Sequence, residues 1–361
     1  MLRLPADAAT PDLYNIKHTA RVLSLLYGFV MSVRNRLFDL GVLRSHRFPL
    51  AVIDVGNLAV GGTGKTPHTE YLLRHLLAAG QRVGMLSRGY GRRTRGFREV
   101  ADCTADEAGD EPLQVKRKYP AAYVCVCEDR VAGIRRMLRE RPDLQAIVLD
   151  DAYQHRYVTP SLNILLTDFS RPYYADRVLP TGRLREKAVG ARRADIIVVT
   201  KCPPTLDEAA RQDILQRLQP EARQTIFFSS LRYGALRPFE AEAVAPEDDE
   251  STLQGKRLLL LTGIARPEPL LQHLQATGAE VEMAAFADHH RFSKAEISRL
   301  GVRAAGFDLV VTTEKDAARL SSLALPVSLR ERLWLCPVEI YFLFGDDCRF
   351  RQKVFESTQQ S

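Results

Sequence analysis

Residues 57–66, NLAVGGTGKT, form a glycine-rich stretch that ends in Gly-Lys-Thr. Loops of this kind surround phosphate groups with backbone N–H groups, and the strict pattern places its first glycine where Ala59 stands. Gly61 and Gly62 still supply backbone freedom. The apolar run before the loop predicts a buried strand, and the helical spacing of apolar residues after Pro67 predicts a helix.

A strand, a glycine loop and a helix in this order predict a binding site for nucleotide phosphates. We expect Lys65 to reach the β- and γ-phosphates and the Thr66 hydroxyl to hold Mg²⁺. The predicted phosphate-binding residues are Gly61, Gly62, Thr63, Gly64, Lys65 and Thr66. The alternative is a glycine-rich turn that binds nothing, and the place of Gly-Lys-Thr at a strand–helix junction argues against it.

A second element, AIVLDD at residues 146–151, is an apolar run that ends in two acids. With a phosphate loop upstream, it has the form of a Walker B strand that delivers Asp150 or Asp151 to Mg²⁺. Neighbouring strand residues point to opposite faces, but a bend at the strand end would let both serve. Acids that merely terminate the strand are the alternative.

Short apolar strands alternate with helical stretches through the first two thirds of the chain, which predicts a parallel sheet covered by helices on both faces. Ligands of such sheets sit at the carboxyl ends of the strands. After residue 230 an acidic, polar segment precedes a new set of strands and helices. We therefore predict a phosphate-loop domain at 1–230, a smaller α/β lid domain at 231–345 and a tail at 346–361.

A further acidic cluster lies in GDEP, at residues 109–112. Acids favour the first turn of a helix, so helix-start chemistry is one interpretation. The other is a catalytic base, since a carboxylate can accept the proton of a hydroxyl that receives a phosphoryl group. Asp110 is the candidate, and the spacing alone does not rank it above Glu111.

The composition is that of a folded protein with a basic balance: 361 residues, 45% hydrophobic, and a net charge of +7. The six cysteines form no CxxC pair, which indicates reduced thiols in a cytosolic protein. Residues 82–98 hold six arginines, which form either a solvated loop or a site for an anionic substrate. Few aromatic residues interrupt this loop and no nucleic-acid module is present, so we predict no nucleic-acid partner.

The N-terminal region holds an apolar run of twelve residues, 22–33, with basic residues on both sides. It is too short to span a bilayer, and no cleavage site of a secretory signal follows it. Either a helix at the membrane interface or a buried core helix would have this pattern.

The motifs together resemble the tetraacyldisaccharide 4′-kinase family. The resemblance rests on eight segments in order: VGNLAVGGTGKTP, SRGYGR, GDEP, DDAYQH, LPTGRLRE, LTGIARP, FADHH and TTEKDAAR. It implies a P-loop (RecA-like) α/β sheet with a lid. It also implies an enzyme that transfers the γ-phosphate of ATP, with Mg²⁺, to the 4′-hydroxyl of tetraacyldisaccharide 1-phosphate in lipid A biosynthesis. The implied protein is a peripheral monomer on the cytoplasmic face of the bacterial inner membrane, and this favours the interfacial interpretation of residues 22–33.

The resemblance also implies roles for individual residues. Asp110 matches the base of the family, and one histidine of FADHH, His289 in preference to His290, is expected to pair with it. Arg185 and Glu186 match a charged pair near the metal and phosphates. The remaining implied residues are Asp150 and Asp151 as the Walker B acids, Tyr90 and Arg130 as lipid-headgroup contacts, and Arg88 as a further substrate contact.

One departure from the family and two rival functions complete the predictions. Ala152-Tyr153 stands where the family usually has Gly-Phe, so the turn after Walker B is expected to differ locally. One rival is a regulatory or partitioning NTPase. In this chain, however, Val60 stands where that class has its signature lysine, and Pro203 stands where a guanine-reading motif has its Asp. A nucleic-acid-binding module is the other, and steep salt dependence of DNA or RNA binding would favour it.

Overall fold

A computed structural model describes residues 12–240, 253–288 and 290–359. The described helices are α1 (Asp12–Asp39), α2 (Lys65–Ala78), α3 (Ala105–Ala108), α4 (Asp110–Lys118), α5 (Arg130–Glu140), α6 (Glu208–Leu218), α7 (Glu268–Ala276), α8 (Lys294–Ala304), α9 (Glu314–Leu320), α10 (Val327–Arg330) and α11 (Asp347–Gln359). Short 3₁₀ turns cover Tyr173–Ala175 and Ala188–Arg193.

The larger sheet has nine strands: β1 (Ala51–Asn57), β2 (Val83–Ser87), β3 (Arg98–Glu99), β4 (Tyr123–Val126), β5 (Ala146–Asp150), β6 (Leu162–Asp168), β7 (Ile196–Thr200), β8 (Thr225–Tyr233) and β14 (Val338–Phe342). Their order is β14-β8-β7-β6-β1-β5-β2-β4-β3. All neighbours are parallel except the two edge pairs, β14 with β8 and β3 with β4. The predicted parallel sheet is therefore confirmed.

The central strand β1 carries the phosphate loop, and β5 lies directly beside it with Val55 opposite Asp150. Apolar side chains cover both faces of the sheet. Helices α2, α4 and α11 cover one face of the sheet, and α5 and α6 cover the other. Burial on both faces explains why these strands read as unbroken apolar runs in the sequence. The loops at their carboxyl ends are left to build the site.

The smaller sheet has five strands: β9 (Arg237–Pro238), β10 (Arg257–Thr262), β11 (Glu280–Ala285), β12 (Leu309–Thr313) and β13 (Leu333–Cys336). Their order is β11-β10-β12-β13-β9, and only β9 is antiparallel to its neighbour. The chain then returns through β14 to the larger sheet, and α11 packs there through Phe350 and Val354. The division at 230 and 345 stays a prediction, and the strand Val338–Phe342, which it placed in the lid, pairs with β8 of the larger sheet.

Helix α1 is held to the larger unit along one side and exposes an apolar surface on the other. The Ser24 hydroxyl donates to the carbonyl of Val178 at 2.8 Å, and Phe38 is buried near the end of the helix. No described helix combines the length and apolar character needed to cross a membrane. The exposed apolar residues are Val22, Leu23, Leu25, Leu26, Phe29, Val30 and Val33, each 42–75% exposed. The buried-core interpretation of this run is therefore wrong.

Candidate active site

The phosphate loop joins the end of β1 to the start of α2. Gly61 and Gly64 have φ angles of 108° and 85°, which only glycine adopts readily. His68, in the first turns of α2, supports the loop: Nδ1 donates to the carbonyl of Gly64 at 2.7 Å, and Nε2 accepts from the Ser229 hydroxyl at 3.0 Å. Burial lowers the pKa of His68 to about 4, so the ring is neutral and can play both roles.

Two buried polar side chains hold Thr63, inside the loop. The Asn57 amide donates to the Thr63 hydroxyl at 2.8 Å, and the Thr200 hydroxyl donates to the Thr63 carbonyl at 2.9 Å. Both come from strand ends beside the loop, since Asn57 ends β1 and Thr200 ends β7. Sequence reasoning missed these two residues, although each is the last residue of a buried strand.

Lys201, next along the chain, also supports the phosphate loop. Its ammonium donates to the carbonyl of Gly62 and pairs with Asp168 at 2.9 Å. A φ of 57° at Lys201 turns the chain sharply at the end of β7. Lys201 therefore contacts the backbone of the phosphate loop from the end of β7.

Asp150 ends β5 in a buried position, 2% exposed. The Ser87 hydroxyl donates to Oδ2 at 3.2 Å, whereas Oδ1 is buried and has no hydrogen-bond partner among the described residues. Burial, followed by the negative charges of Glu111 and Asp151, raises the pKa of Asp150 to about 7. A bound cation would satisfy Oδ1 and offset this accumulation of negative charge.

Asp151 lies between two cations. The ammonium of Lys65 is 3.8 Å from Oδ2, and the guanidinium of Arg185 donates to both carboxylate oxygens, at 2.9 and 3.1 Å. Burial opposes the charge of Asp151, but Lys65 and Arg185 outweigh it and hold the pKa below its ordinary value. The structure thus brings together the phosphate-loop lysine, a Walker B acid and the predicted arginine.

In the turn after the Walker B strand, the residue with a left-handed backbone conformation is not the expected one. The left-handed conformation falls on Asp151, with φ of 51°, and not on Ala152. Tyr153 then packs so closely on Gly56 that a Cβ there would lie 2.6 Å from the Tyr153 Cβ, and its hydroxyl donates to the Gly190 carbonyl. The aromatic residue, rather than a glycine, therefore fixes this turn.

The segment LPTGRLRE runs beside the phosphate loop, with backbone hydrogen bonds from Val60 to Arg183 and from Arg185 to Leu58. The side chains of the adjacent residues Arg185 and Glu186 contact different groups. Glu186 is 1% exposed and pairs with Arg193 at 2.8 Å rather than with Arg185.

Glu186 serves as a buried anchor. It accepts from Asn35 of α1 at 2.6 Å and from Gln154 at 3.2 Å. The two adjacent residues thus make separate ion pairs, Arg185 with Asp151 and Glu186 with Arg193, and the expected role of Glu186 near the metal and phosphates stays a prediction.

Asp110 begins α4 and pairs with Arg319 of α9 at 2.7 Å. The neighbouring acid, Glu111, lies 4.0 Å from Lys315. His289, the expected partner of the base, lies outside the described residues. His290 lies 3.2 Å from Glu296 and stacks on Phe286 with ring centroids 4.7 Å apart, so its described contacts stay within its own unit.

The three expected substrate contacts differ in exposure. Arg88 is exposed and Tyr90 is 74% exposed, so both are accessible to a ligand. Arg130 is 2% exposed, and its guanidinium donates to the carbonyls of Cys127, at 2.9 Å, and Asp150, at 3.3 Å. In this structure Arg130 connects two strand ends, and its expected contact with a lipid headgroup stays a prediction.

The arginine-rich loop is largely neutralised by acids. The ion pairs are Arg82 with Asp143, Arg92 with Glu128, Arg93 with Asp106, and Arg98 with Glu107. Within the part of the chain that the structure describes, Arg88 and Arg95 are exposed and have no ion pair. Within the described residues of this loop, the positive charge without an ion-pair partner is therefore carried by these two side chains.

A glycine loop at the carboxyl end of a central parallel strand, with its lysine beside a Walker B acid, defines a P-loop nucleotide-binding protein. The chain also matches, over residues 16–359, the family described as LpxK, tetraacyldisaccharide-1-P 4′-kinase. It belongs to this family.

Individual relatives match over nearly their whole length. A tetraacyldisaccharide 4′-kinase of Bacteroides fragilis strain YCH46 is 44% identical over 92% of this chain and 90% of its own. That of Flavobacterium psychrophilum is 38% identical over 96% and 98%. Among solved structures, LpxK from Aquifex aeolicus in complex with ATP has a TM-score of 0.72 at 26% identity, covering 95% of this chain and 99% of that one. The fold class and the family inferred from the sequence are thereby confirmed.

Proposed function

We propose that this protein phosphorylates the 4′-hydroxyl of tetraacyldisaccharide 1-phosphate with ATP, a step of lipid A biosynthesis. Family membership supports the substrates. The observation that carries the proposal in the structure is the contact of Lys65 with Asp151, because it joins the phosphate loop to the Walker B acid at the strand ends.

The proposed reaction moves one phosphoryl group between two oxygens. The 4′-oxygen forms a bond to the γ-phosphorus, the bond from that phosphorus to the β–γ bridging oxygen breaks, and ADP leaves with the electron pair. Asp110 accepts the hydroxyl proton. The residues of 61–66 bind the phosphates through backbone N–H groups, and Lys65 and Arg185 offset the charge of the transferring group.

A magnesium ion fits the acidic side chains at this site. The unpartnered Oδ1 of buried Asp150 needs a cation or donor, Asp151 supplies a second carboxylate and Thr66 a hydroxyl. No group of three or more His, Cys, Asp or Glu side chains among the described residues could hold a metal alone. Phosphate oxygens and water would supply its remaining ligands. When bound, the ion neutralises charge on the β- and γ-phosphates.

We assign the acceptor lipid to the side of the site that exposes Arg88 and Tyr90. The lipid carries a 1-phosphate, for which an arginine is a suitable donor, and an aromatic side chain suits the boundary between a sugar and acyl chains. The apolar surface of α1 would lie at the membrane interface, with exposed Arg21 and Arg36 near anionic headgroups. We propose on this basis that the protein is peripheral to the inner membrane, and the family resemblance supports its cytoplasmic face.

A phosphoryl-transfer assay tests the function. Purified protein is incubated with radiolabelled ATP and tetraacyldisaccharide 1-phosphate in detergent, and the lipid product is separated by thin-layer chromatography. We expect product with the wild type and with the exposed-surface control Lys294→Ala, and almost none with Lys65→Ala. Absence of labelled lipid with well-folded wild-type protein would refute the proposal.

Liposome flotation tests the role of α1. A double substitution, Leu25→Ser with Phe29→Ser, removes two side chains that are 75% and 63% exposed. We expect loss of flotation with vesicles that contain anionic lipid, while the activity on detergent-solubilised substrate is retained. The control is Val302→Ser, which changes an 80% exposed apolar residue on α8. Unchanged flotation of the double variant would refute the membrane role of α1.

A further inference from the structure

Helix α9, within the motif TTEKDAAR, packs against α4, at the start of which Asp110 lies. The two helices run in opposite directions, since Arg319 near the end of α9 pairs with Asp110 at the start of α4, and Glu314 at the start of α9 pairs with Lys118 at the end of α4. Lys315, between them, lies 4.0 Å from Glu111. Complementary charges therefore meet along the whole contact.

Arg319 is 7% exposed and is held at several points. Its Nε donates to Oδ2 of Asp110 at 2.7 Å, and its Nη1 donates to Oδ1 of Asp316 at 2.7 Å and to the carbonyl of Gly263 at 3.1 Å. The planar guanidinium can reach all three because its N–H groups point in fixed directions.

Asp316 is in turn fully buried and fixed in place. Its Oδ2 accepts from the backbone N–H of Gly263 at 2.9 Å and from the Thr313 hydroxyl at 2.8 Å. The chain of contacts from Gly263 through Asp316 and Arg319 to Asp110 links the motifs LTGIARP, TTEKDAAR and GDEP. Their side chains define the orientation of one carboxylate on α4.

We propose that Arg319 is a positioning residue for the reaction, which orients the carboxylate of Asp110 toward the acceptor hydroxyl. This inference rests on the proposed function and on Asp110 as its base. A carboxylate that must accept a proton during phosphoryl transfer needs a defined position, because small misplacements of a reacting group are costly. Asp316 holds the guanidinium so that Arg319 can supply that position from the second unit.

The simpler alternative is that Arg319 only fastens α9 to α4. Glu314 provides a matched control, because it makes a cross-helix ion pair at the other end of the same contact. Glu314→Gln removes that ion pair and leaves Lys118 paired with Glu70 at 2.7 Å. If fastening were the whole role, Arg319→Met and Glu314→Gln would change the kinetics to a similar extent.

The test compares steady-state kinetics of the full-length variants. We expect Arg319→Met to lower kcat about 100-fold, with KM for ATP within about threefold of wild type, since misplacement of a reacting group affects the chemical step. Glu314→Gln is expected to keep kcat within about threefold. Arg319→Lys should give an intermediate kcat, because an ammonium cannot hold both Asp110 and Asp316 in the same geometry.

A double-variant cycle gives the decisive comparison. Because Arg319 is proposed to act through Asp110, Arg319→Met should lower kcat no further when Asp110→Asn is already present. Thermal unfolding checks that each protein is folded, and Arg319→Lys carries the test if Arg319→Met does not fold. An active wild type with unchanged kcat in the folded Arg319 variant overturns this inference but leaves the kinase function intact. A wild type that labels no lipid refutes the function itself.

Discussion

Lys201 offers the sharpest test of how the phosphate loop is organised. Its ammonium contacts the carbonyl of Gly62 from outside the loop and is itself anchored by Asp168. We expect Lys201→Met to leave the fold intact but to weaken ATP binding. Without this contact, part of the free energy of binding must be used to order the loop.

The size of the effect follows from the contacts. A hydrogen bond with a charged donor contributes about 2 kcal/mol. The ion pair with Asp168 adds little, because 29% of the Lys201 side chain is exposed and water screens the attraction. A loss of about 2 kcal/mol corresponds to a Kd for ATP that is about 30-fold higher.

Isothermal titration calorimetry with a non-hydrolysable ATP analogue and Mg²⁺ measures this Kd directly. The control is Lys294→Met, which removes an exposed lysine at the start of α8. We expect the control to bind like wild type. A Kd within threefold of wild type for Lys201→Met would show that the lysine does not organise the loop.

Three further predictions concern the buried groups around the site. Arg193→Met leaves the buried Glu186 carboxylate without its ion-pair partner. This substitution should lower the free energy of unfolding by about 3 kcal/mol, measured in urea. For His68, the pKa falls from 6.5 to about 4 on folding, so its contribution to stability is complete above pH 6.5 and is lost as the pH falls toward 4. Between pH 7.5 and 5 the wild type should therefore lose about 2 kcal/mol more than His68→Gln. Gly56→Ala places a methyl group against Tyr153 and should lower stability by about 2 kcal/mol and reduce turnover.

Each of these predictions has a result that would contradict it. Equal unfolding free energies for wild type and Arg193→Met would mean that Glu186 finds other partners. Parallel pH dependences for wild type and His68→Gln would mean that the ring is not kept neutral by folding. For Gly56→Ala, the matched control is Gly306→Ala, whose added methyl group would have its nearest neighbour at 3.6 Å. Equal stability of these two variants would refute the close packing at the turn.

The sequence was sufficient for the parts of the site that lie on one continuous segment. The loop at 61–66 and the acids Asp150 and Asp151 follow apolar strands, and strand order alone brings the carboxyl ends of neighbouring parallel strands together. Lys65 beside Asp151 was predictable for this reason. The family resemblance correctly added the fold class and the family, which the local patterns by themselves left among several nucleotide-binding proteins.

Contacts between distant segments could not be predicted in the same way. Arg185 and Glu186 are adjacent in sequence, yet one side chain reaches the Walker B acid and the other a buried arginine, because the segment passes between two differently charged surroundings. Likewise, the position of Arg130 at the start of a helix does not indicate that its side chain is buried next to the ends of two strands. Such outcomes depend on tertiary packing, which periodicity does not encode.

The ion pairs around the site fall into two kinds, and the difference has a functional consequence. Asp151 lies 3.8 Å from Lys65, beyond hydrogen-bonding distance, and also pairs with Arg185 at 2.9 Å, so it keeps a cationic partner when ATP phosphates attract the lysine. Glu186 and Arg193 lie deeper, with side chains 2% and 20% exposed, and separating them would leave a charge uncompensated. Nucleotide binding is therefore expected to exchange the partners of Lys65 while Glu186 keeps its own. The contact from Asn35 to Glu186 is then expected to hold α1 to the nucleotide site throughout turnover.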